Sequence, residues 1–141
     1  MAPSFPVESA AAGVHDAAEI ARAISVAANE SDRGLIVLPD TIMSHNRKLI
    51  ADLAARYRLP AVYPFRYLAG EGGLVSYAVD TVEIYRGAAS YIGRILRGAK
   101  AADLLVQAPT KFEMVINLKT AKALGLTVPS SMLARAGEVI E

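Results

Sequence analysis

The apolar positions of this chain follow two periods. Ile20, Ala23, Ile24 and Ala27 recur at three- and four-residue spacing, which predicts an amphipathic helix. Asp16 and Glu19 open it as a capping box, a motif whose two side chains take N–H groups left free at a helix start. Residues 34–38, Gly-Leu-Ile-Val-Leu, form a continuous apolar run of the kind expected for a buried parallel strand. Pro39 and Asp40 end that run. Leu49, Ile50, Leu53, Ala54 and Tyr57 place a second helix over residues 44–58, and Pro60 stops it. Strands are expected over 61–65 and 74–77. The intervening 66–73 reads as a loop in which Gly70, Gly72 and Gly73 supply backbone freedom.

Asp80 and Glu83 form a second capping box. The helix it opens runs to about residue 97, with Tyr85, Ala88, Ala89, Ile92, Ile95 and Leu96 on one face. Residues 109–129 then pass directly from strand to helix. Phe112, Met114 and Ile116 alternate with Glu113, Val115 and Asn117, and Asn117 is placed to cap the helix beginning at Leu118. Gly125 suits the left-handed residue that closes a helix, and Pro129 prevents continuation. A first strand over residues 5–8, a late helical turn and an extension over 138–141 complete the pattern. Strands alternating with helices predict an α/β fold, an open and mostly parallel sheet flanked by helices.

With 141 residues, a single domain is expected. Lys and Arg number 15 against 14 Asp and Glu, so no net field favours nucleic acid or an anionic membrane. The absence of cysteine excludes disulfides, thiolate catalysis and cysteine-ligated metal. No run approaches the roughly 20 apolar residues of a membrane-spanning helix. The first 13 residues have neither the basic region nor the apolar core of a signal peptide. If the chain is a complete product it is therefore expected in the cytoplasm; otherwise it is a piece of a secreted parent.

No catalytic constellation emerges, and no metal or cofactor is called for. His15 and His45 stand beside expected helix starts without metal-ligand spacing, and the adjacency of Ser44 and His45 makes no triad. The glycines of 70–73 lead into a strand, whereas a phosphate-binding loop must open a helix, so a turn or hinge is the reading. Four residues are candidates for ligand contact. Asp40 lies beyond the end of strand 34–38, where open sheets bind ligands, and its carboxylate would suit an ammonium group. A loop Asp satisfying nearby N–H groups is the alternative. Phe65, Ser76 and Tyr77 end their strands with an aromatic face or a hydroxyl, and each could equally be half-buried structure.

The segment KFEMVINLKTAKALGLTVP closely resembles the C-terminal signature of one group of ABC-transporter substrate-binding proteins, described as tryptophan/tyrosine transport components. VHDAAEIARAI, GLIVLPD, GEGGLVSYAVD and YRGAASYIGRILRGAKAADL extend the resemblance over most of the chain, in the family's order and spacing. It implies one lobe, the C-terminal one, of a type I periplasmic-binding-protein-like fold that closes on a solute. The same resemblance implies a small amino-acid-like or aromatic ligand, an ABC permease as partner and an extracytoplasmic parent. Carried over, Asp40, Ser76 and Tyr77 fall at the cleft between lobes, with Phe65 near it. Thr41-Ile42 after Asp40 and Ala78 after Tyr77 depart from the family pattern. In such a fold the helix over 82–97 packs on the other lobe. Alone, its apolar face would be uncovered, so a homodimer through this helix is expected. A stand-alone oligomerising or regulatory module derived from such a lobe is the second reading.

Overall fold

The computed structural model describes residues 7–141. Phe5 and Pro6 of the expected first strand lie outside the described residues, and Val7 and Glu8 have no regular structure. Helix α1, Ala17–Ala28, begins at Asp16, whose carboxylate accepts the Glu19 N–H at 2.8 Å. The returning half of the capping box is displaced by one residue, because Glu19 accepts the N–H of His15 at 2.8 Å. Strand β1, Leu35–Ile36, is followed by α2, Thr41–His45, and α3, Arg47–Arg56. Strand β2, Ala61–Tyr63, leads to the short helix α4, Arg66–Gly70, and strand β3, Val75–Val79. The longest helix, α5, covers Thr81–Leu96. A 3-10 turn at Ala101–Asp103 follows, then β4, Phe112–Asn117, α6, Leu118–Leu124, α7, Ser130–Leu133, and β5, Glu138–Ile140.

The sheet has the order β1-β2-β3-β4-β5, with every neighbouring pair parallel except β3 and β4. The expected open, mostly parallel α/β sheet is therefore present. Three expectations need correction. The 34–38 run is parallel as expected but not buried: β1 is a two-residue edge strand, with Ile36 76% exposed. The single helix over 44–58 is two. Asp40 starts a helix early by accepting the Ile42 N–H, and Asn46 ends it by donating its side-chain amide to the Ile42 carbonyl. Residues 66–73 are not all loop, since α4 occupies their first half and carries the buried Leu68 and Ala69.

Two apolar clusters hold the sheet. Ile20 and Ile24 of α1 pack with Ile50 and Ala54 of α3 over Ala61 and Tyr63 of β2, and Leu68 of α4 closes that group. The second cluster joins Leu74, Val75 and Ile116 to Ala121 of α6, with Leu124 and Leu133 against it. Between the two stands Gly73, where a Cβ would lie 2.7 Å from the Leu68 carbonyl oxygen and 2.8 Å from the Tyr63 ring. Only glycine allows that approach.

The strand-to-helix passage expected at 112–125 is present. The Asn117 side-chain oxygen accepts the Thr120 N–H at 3.1 Å, and Gly125 closes α6 at φ +74°. Asn117 also ties α6 to α4, because its amide donates to the Ala69 carbonyl at 2.9 Å in a buried setting. Asn117→Ala removes the cap and leaves that carbonyl without its partner, a loss of about 2 kcal/mol. Urea unfolding is the measurement. Asn117→Asp, which keeps a capping oxygen but sets a carboxylate against the buried Ala69 carbonyl, is expected to be no more stable than Asn117→Ala.

Candidate functional site

Strands β1, β2 and β3 run in one direction and end on the same rim of the sheet, where the antiparallel β4 begins. Ligands of open α/β sheets bind at such a rim, outside the carboxyl ends of the strands. Asp40 follows β1, Phe65 follows β2, Asp80 follows β3 and Lys111 precedes β4. A cleft of about 540 Å³ opens between this rim and the first turns of α4 and α5. Phe65, Tyr67, Ser76, Asp80, Arg86 and Lys111 are among the residues lining it.

The cleft combines apolar surface with charges of both signs. Phe65 and Tyr67 stack with ring centroids 5.6 Å apart, and Val79 and Val82 add aliphatic wall. Arg66 pairs with Glu138 and lies 3.9 Å from Glu113, while Arg86 pairs with Glu83. Lys111 Nζ pairs with the Asp80 carboxylate at 2.7 Å. Asp80 is itself buried, and its other oxygen accepts the N–H groups of Val82 and Glu83 at the start of α5. The Lys111 hydrogen bond, aided by those backbone donors, holds the Asp80 carboxyl below the usual carboxylate range. The same bond raises Lys111 above its ordinary value.

Of the four residues expected at a ligand, Phe65 and Ser76 line this cleft together. Tyr77 does not share it. Successive strand residues point to opposite faces, so Ser76 is buried while Tyr77 is 56% exposed and stacks on Phe112 with ring centroids 5.5 Å apart. Asp40 acts as the cap of α2: its carboxylate accepts the Ile42 N–H at 2.7 Å and its carbonyl takes the Ser44 hydroxyl at 2.8 Å. His45 Nδ1 lies 2.9 Å from the Thr41 carbonyl, and His15 gives its backbone N–H to Glu19. The polar wall of the cleft was missed by sequence reasoning. In the sequence Asp80 reads only as a helix cap. Lys111 carried no signal, because it meets Asp80 only through the β3–β4 register, in which the Asp80 N–H donates to the Lys111 carbonyl at 3.0 Å.

An open α/β sheet with a charged and aromatic cleft at its strand ends is an architecture for holding a small molecule. Residues 1–140 match the family of ABC transporter substrate binding proteins, and the chain belongs to that family. It is similar to a solved ABC domain from Streptococcus pneumonia in complex with L-Trp, at 29% identity and TM-score 0.78. That match covers 90% of this chain and 44% of the other. A conserved domain protein from Vibrio cholerae matches at 26% identity and TM-score 0.76, over 88% of this chain and 42% of that one. The ligand-free, open structure of a Clostridium difficile substrate binding protein with adhesive properties shares the fold at 20% identity and TM-score 0.66, over 91% and 42%. The chain thus spans less than half the length of these structures. No curated protein matches it.

Asp80 and Lys111 give this site a pH signature. A carboxyl whose folded pKa is depressed contributes stability above its ordinary value of 3.8, and that contribution is lost as pH falls through the depressed one. Lys111 shifts upward, so its contribution is complete below 10.5 and is lost as pH rises through the raised value. Asp80→Asn keeps a capping side chain and loses the ion pair. Its melting temperature is expected below wild type across neutral pH, with the gap closing in acid below about pH 4, as scanning calorimetry at several pH values would show.

Proposed function

We propose that this chain is the C-terminal solute-binding lobe of a two-lobed substrate-binding protein serving an ABC-type importer. Its ligand is a small amino-acid-like or aromatic solute, held in the cleft at the end of β3. The observation that carries the proposal is the cleft itself, where an aromatic pair, Phe65 and Tyr67, adjoins the Asp80–Lys111 ion pair. Opposite charges 2.7 Å apart match the two ends of a zwitterion, the carboxylate on Lys111 and the ammonium on Asp80. The rings offer a surface to an aromatic side chain. The likeness to an L-Trp-bound structure supports the same ligand class.

The mechanism is binding without chemistry. Solute that touches two lobes favours the closed state over the open one by its differential contacts, and the permease recognises the closed state. Such parents work outside the cytoplasm. Among the described residues no helix is long and apolar enough to cross a membrane. Calorimetric titration with a panel of amino acids tests the proposal. Aromatic amino acids are expected to bind weakly, because one wall of the cleft belongs to the other lobe, and Lys111→Ala is expected to weaken them about tenfold or more. Asp40→Ala is expected to leave binding unchanged and to lower stability by about 1 kcal/mol. Absence of binding by every amino acid would reject the proposal.

A second reading, a self-associating module derived from such a lobe, is favoured by α5. None of its 16 residues is buried, and Val82, Tyr85, Ile92 and Leu96 are all exposed. The sheet presents its own uncovered apolar residues in Ile36, Val62, Tyr77 and Phe112, which share a face by register and alternation. Helix and sheet faces of this kind cover each other in α/β proteins, so α5 of one copy fits the bare face of a second, in a reciprocal exchange. Light scattering is expected to give a concentration-dependent dimer that Ile92→Arg dissociates. A strictly monomeric wild type at high concentration would sink this reading.

A further inference from the structure

Among the described residues, Asp80 is the one buried carboxylate that lines the cleft. Its side chain is 8% exposed, against 40% for Glu83 and 36% for Glu113, the other acids of that wall. An ammonium seated on Asp80 is therefore the least screened of the three. That seat is taken. Asp80 Oδ1 accepts the N–H groups of Val82 and Glu83 at 3.0 and 3.2 Å, and Oδ2 lies 2.7 Å from Lys111 Nζ. The occupant is loosely held, since the Lys111 side chain is 60% exposed on a flexible stem that can swing into water. Lys111 thus sets on Asp80 the same chemical group that a solute amine would bring.

Two kinds of solute meet this arrangement differently. A simple amine must expel Lys111 to reach Asp80. One ion pair is broken, one of the same kind is formed, and the Lys111 charge is left to water. Such an exchange has little to gain at Asp80. An α-amino acid breaks the same pair and forms two, because its carboxylate stands beside its ammonium and takes the displaced Lys111. Arg66 and Arg86, which also line the cleft, are held by Glu138 and Glu83. A displaced Lys111 has given up its carboxylate and is free to take another.

We propose that Lys111 is a specificity residue of this cleft, closing Asp80 to amines and yielding it to solutes that carry an ammonium and a carboxylate on one carbon. The inference rests on the solute-binding reading above and adds how the head group is selected. Discrimination of this kind comes from a built-in competitor as much as from new contacts. A solute that binds only the open form of a site has its apparent affinity lowered by the fraction of time the site is open. The ion pair imposes that loss on every solute, and a carboxylate restores it.

The test is a pair of NMR titrations of the full chain, with L-phenylalanine and phenethylamine, which share a ring and an ammonium and differ by the carboxylate. Wild type is expected to take phenethylamine about tenfold or more weakly than L-phenylalanine. Lys111→Met, which keeps the length of the side chain without its charge, is expected to move the two ligands in opposite directions. L-phenylalanine weakens, and phenethylamine binds about tenfold more tightly than to wild type. Lys111→Arg, which keeps the charge and the ion pair at the β3–β4 neck, is expected to exclude the amine as wild type does. Phenethylamine that binds Lys111→Met no more tightly than wild type overturns the inference. So does a wild type that takes both ligands equally, or a Lys111→Arg that admits the amine. Each of these leaves the solute-binding reading standing. Failure of L-phenylalanine and of every other amino acid to bind wild type overturns that reading and the inference with it.

Discussion

The antiparallel pairing of β3 with β4 is the constraint on which the rest of this molecule depends. Between Asp80 and Lys111 the chain leaves the sheet, forms α5 and comes back without contributing a single buried residue to either core cluster. Closing an excursion of that length costs entropy. The closure is held at its neck, where the Asp80 N–H reaches the Lys111 carbonyl and the two side chains form their ion pair. Five residue pairs then zip toward Ile116. The register set there decides which residues meet at the sheet rim, and so it decides the composition of the cleft. The same neck starts α5, because Asp80 caps it. One carboxylate thus fixes a helix start, a strand crossing and a wall of the site.

Local features of this arrangement were legible in the sequence because their physics is local. Asp16, Asp80 and Asn117 each precede an apolar periodic run and each caps its helix through a side-chain oxygen. Gly125 adopts the left-handed conformation that a helix end asks for. The alternation of strands and helices sufficed for an open, mostly parallel sheet. What was misread depended on tertiary position. The run at 34–38 has the composition of a central strand yet lies at the sheet edge, and no local pattern distinguishes the two. The early helix at Thr41 follows from Asp40 capping a helix start, where the sequence shows only an Asp able to satisfy loop N–H groups.

The site was legible in outline and hidden in detail for the same reason. Phe65 lies just beyond the end of β2, but Ser76 is the second residue of β3, which runs on to Val79 instead of ending at Tyr77 as expected. Ser76 and Tyr77, read as a unit because they are adjacent, are parted by strand alternation and serve opposite faces. Lys111 and Glu113 enter through β4, a strand more than thirty residues after β3 in the chain, and only the register brings them beside Asp80 and Ala78. Charge pairs formed across such a distance in sequence leave no trace in spacing.

The split of the interior at Gly73 has a consequence for how the chain behaves under stress. Every residue of the first apolar cluster precedes Gly73 and every residue of the second follows it, so each draws on its own half of the sequence. The second half must still close the excursion from β3 to β4 before Leu74 and Val75 can join Ile116 and Ala121, so its cluster is assembled from residues distant in sequence. The two clusters communicate through β2–β3 pairing and through the two bonds that Asn117 and Thr120 make to α4 and its following turn. Local opening events are therefore expected to respect that seam, with one half loosening while the other keeps its protection. The tight fit of Gly73 against Tyr63 and Leu68 anchors the start of β3 on the first cluster, on the near side of that seam.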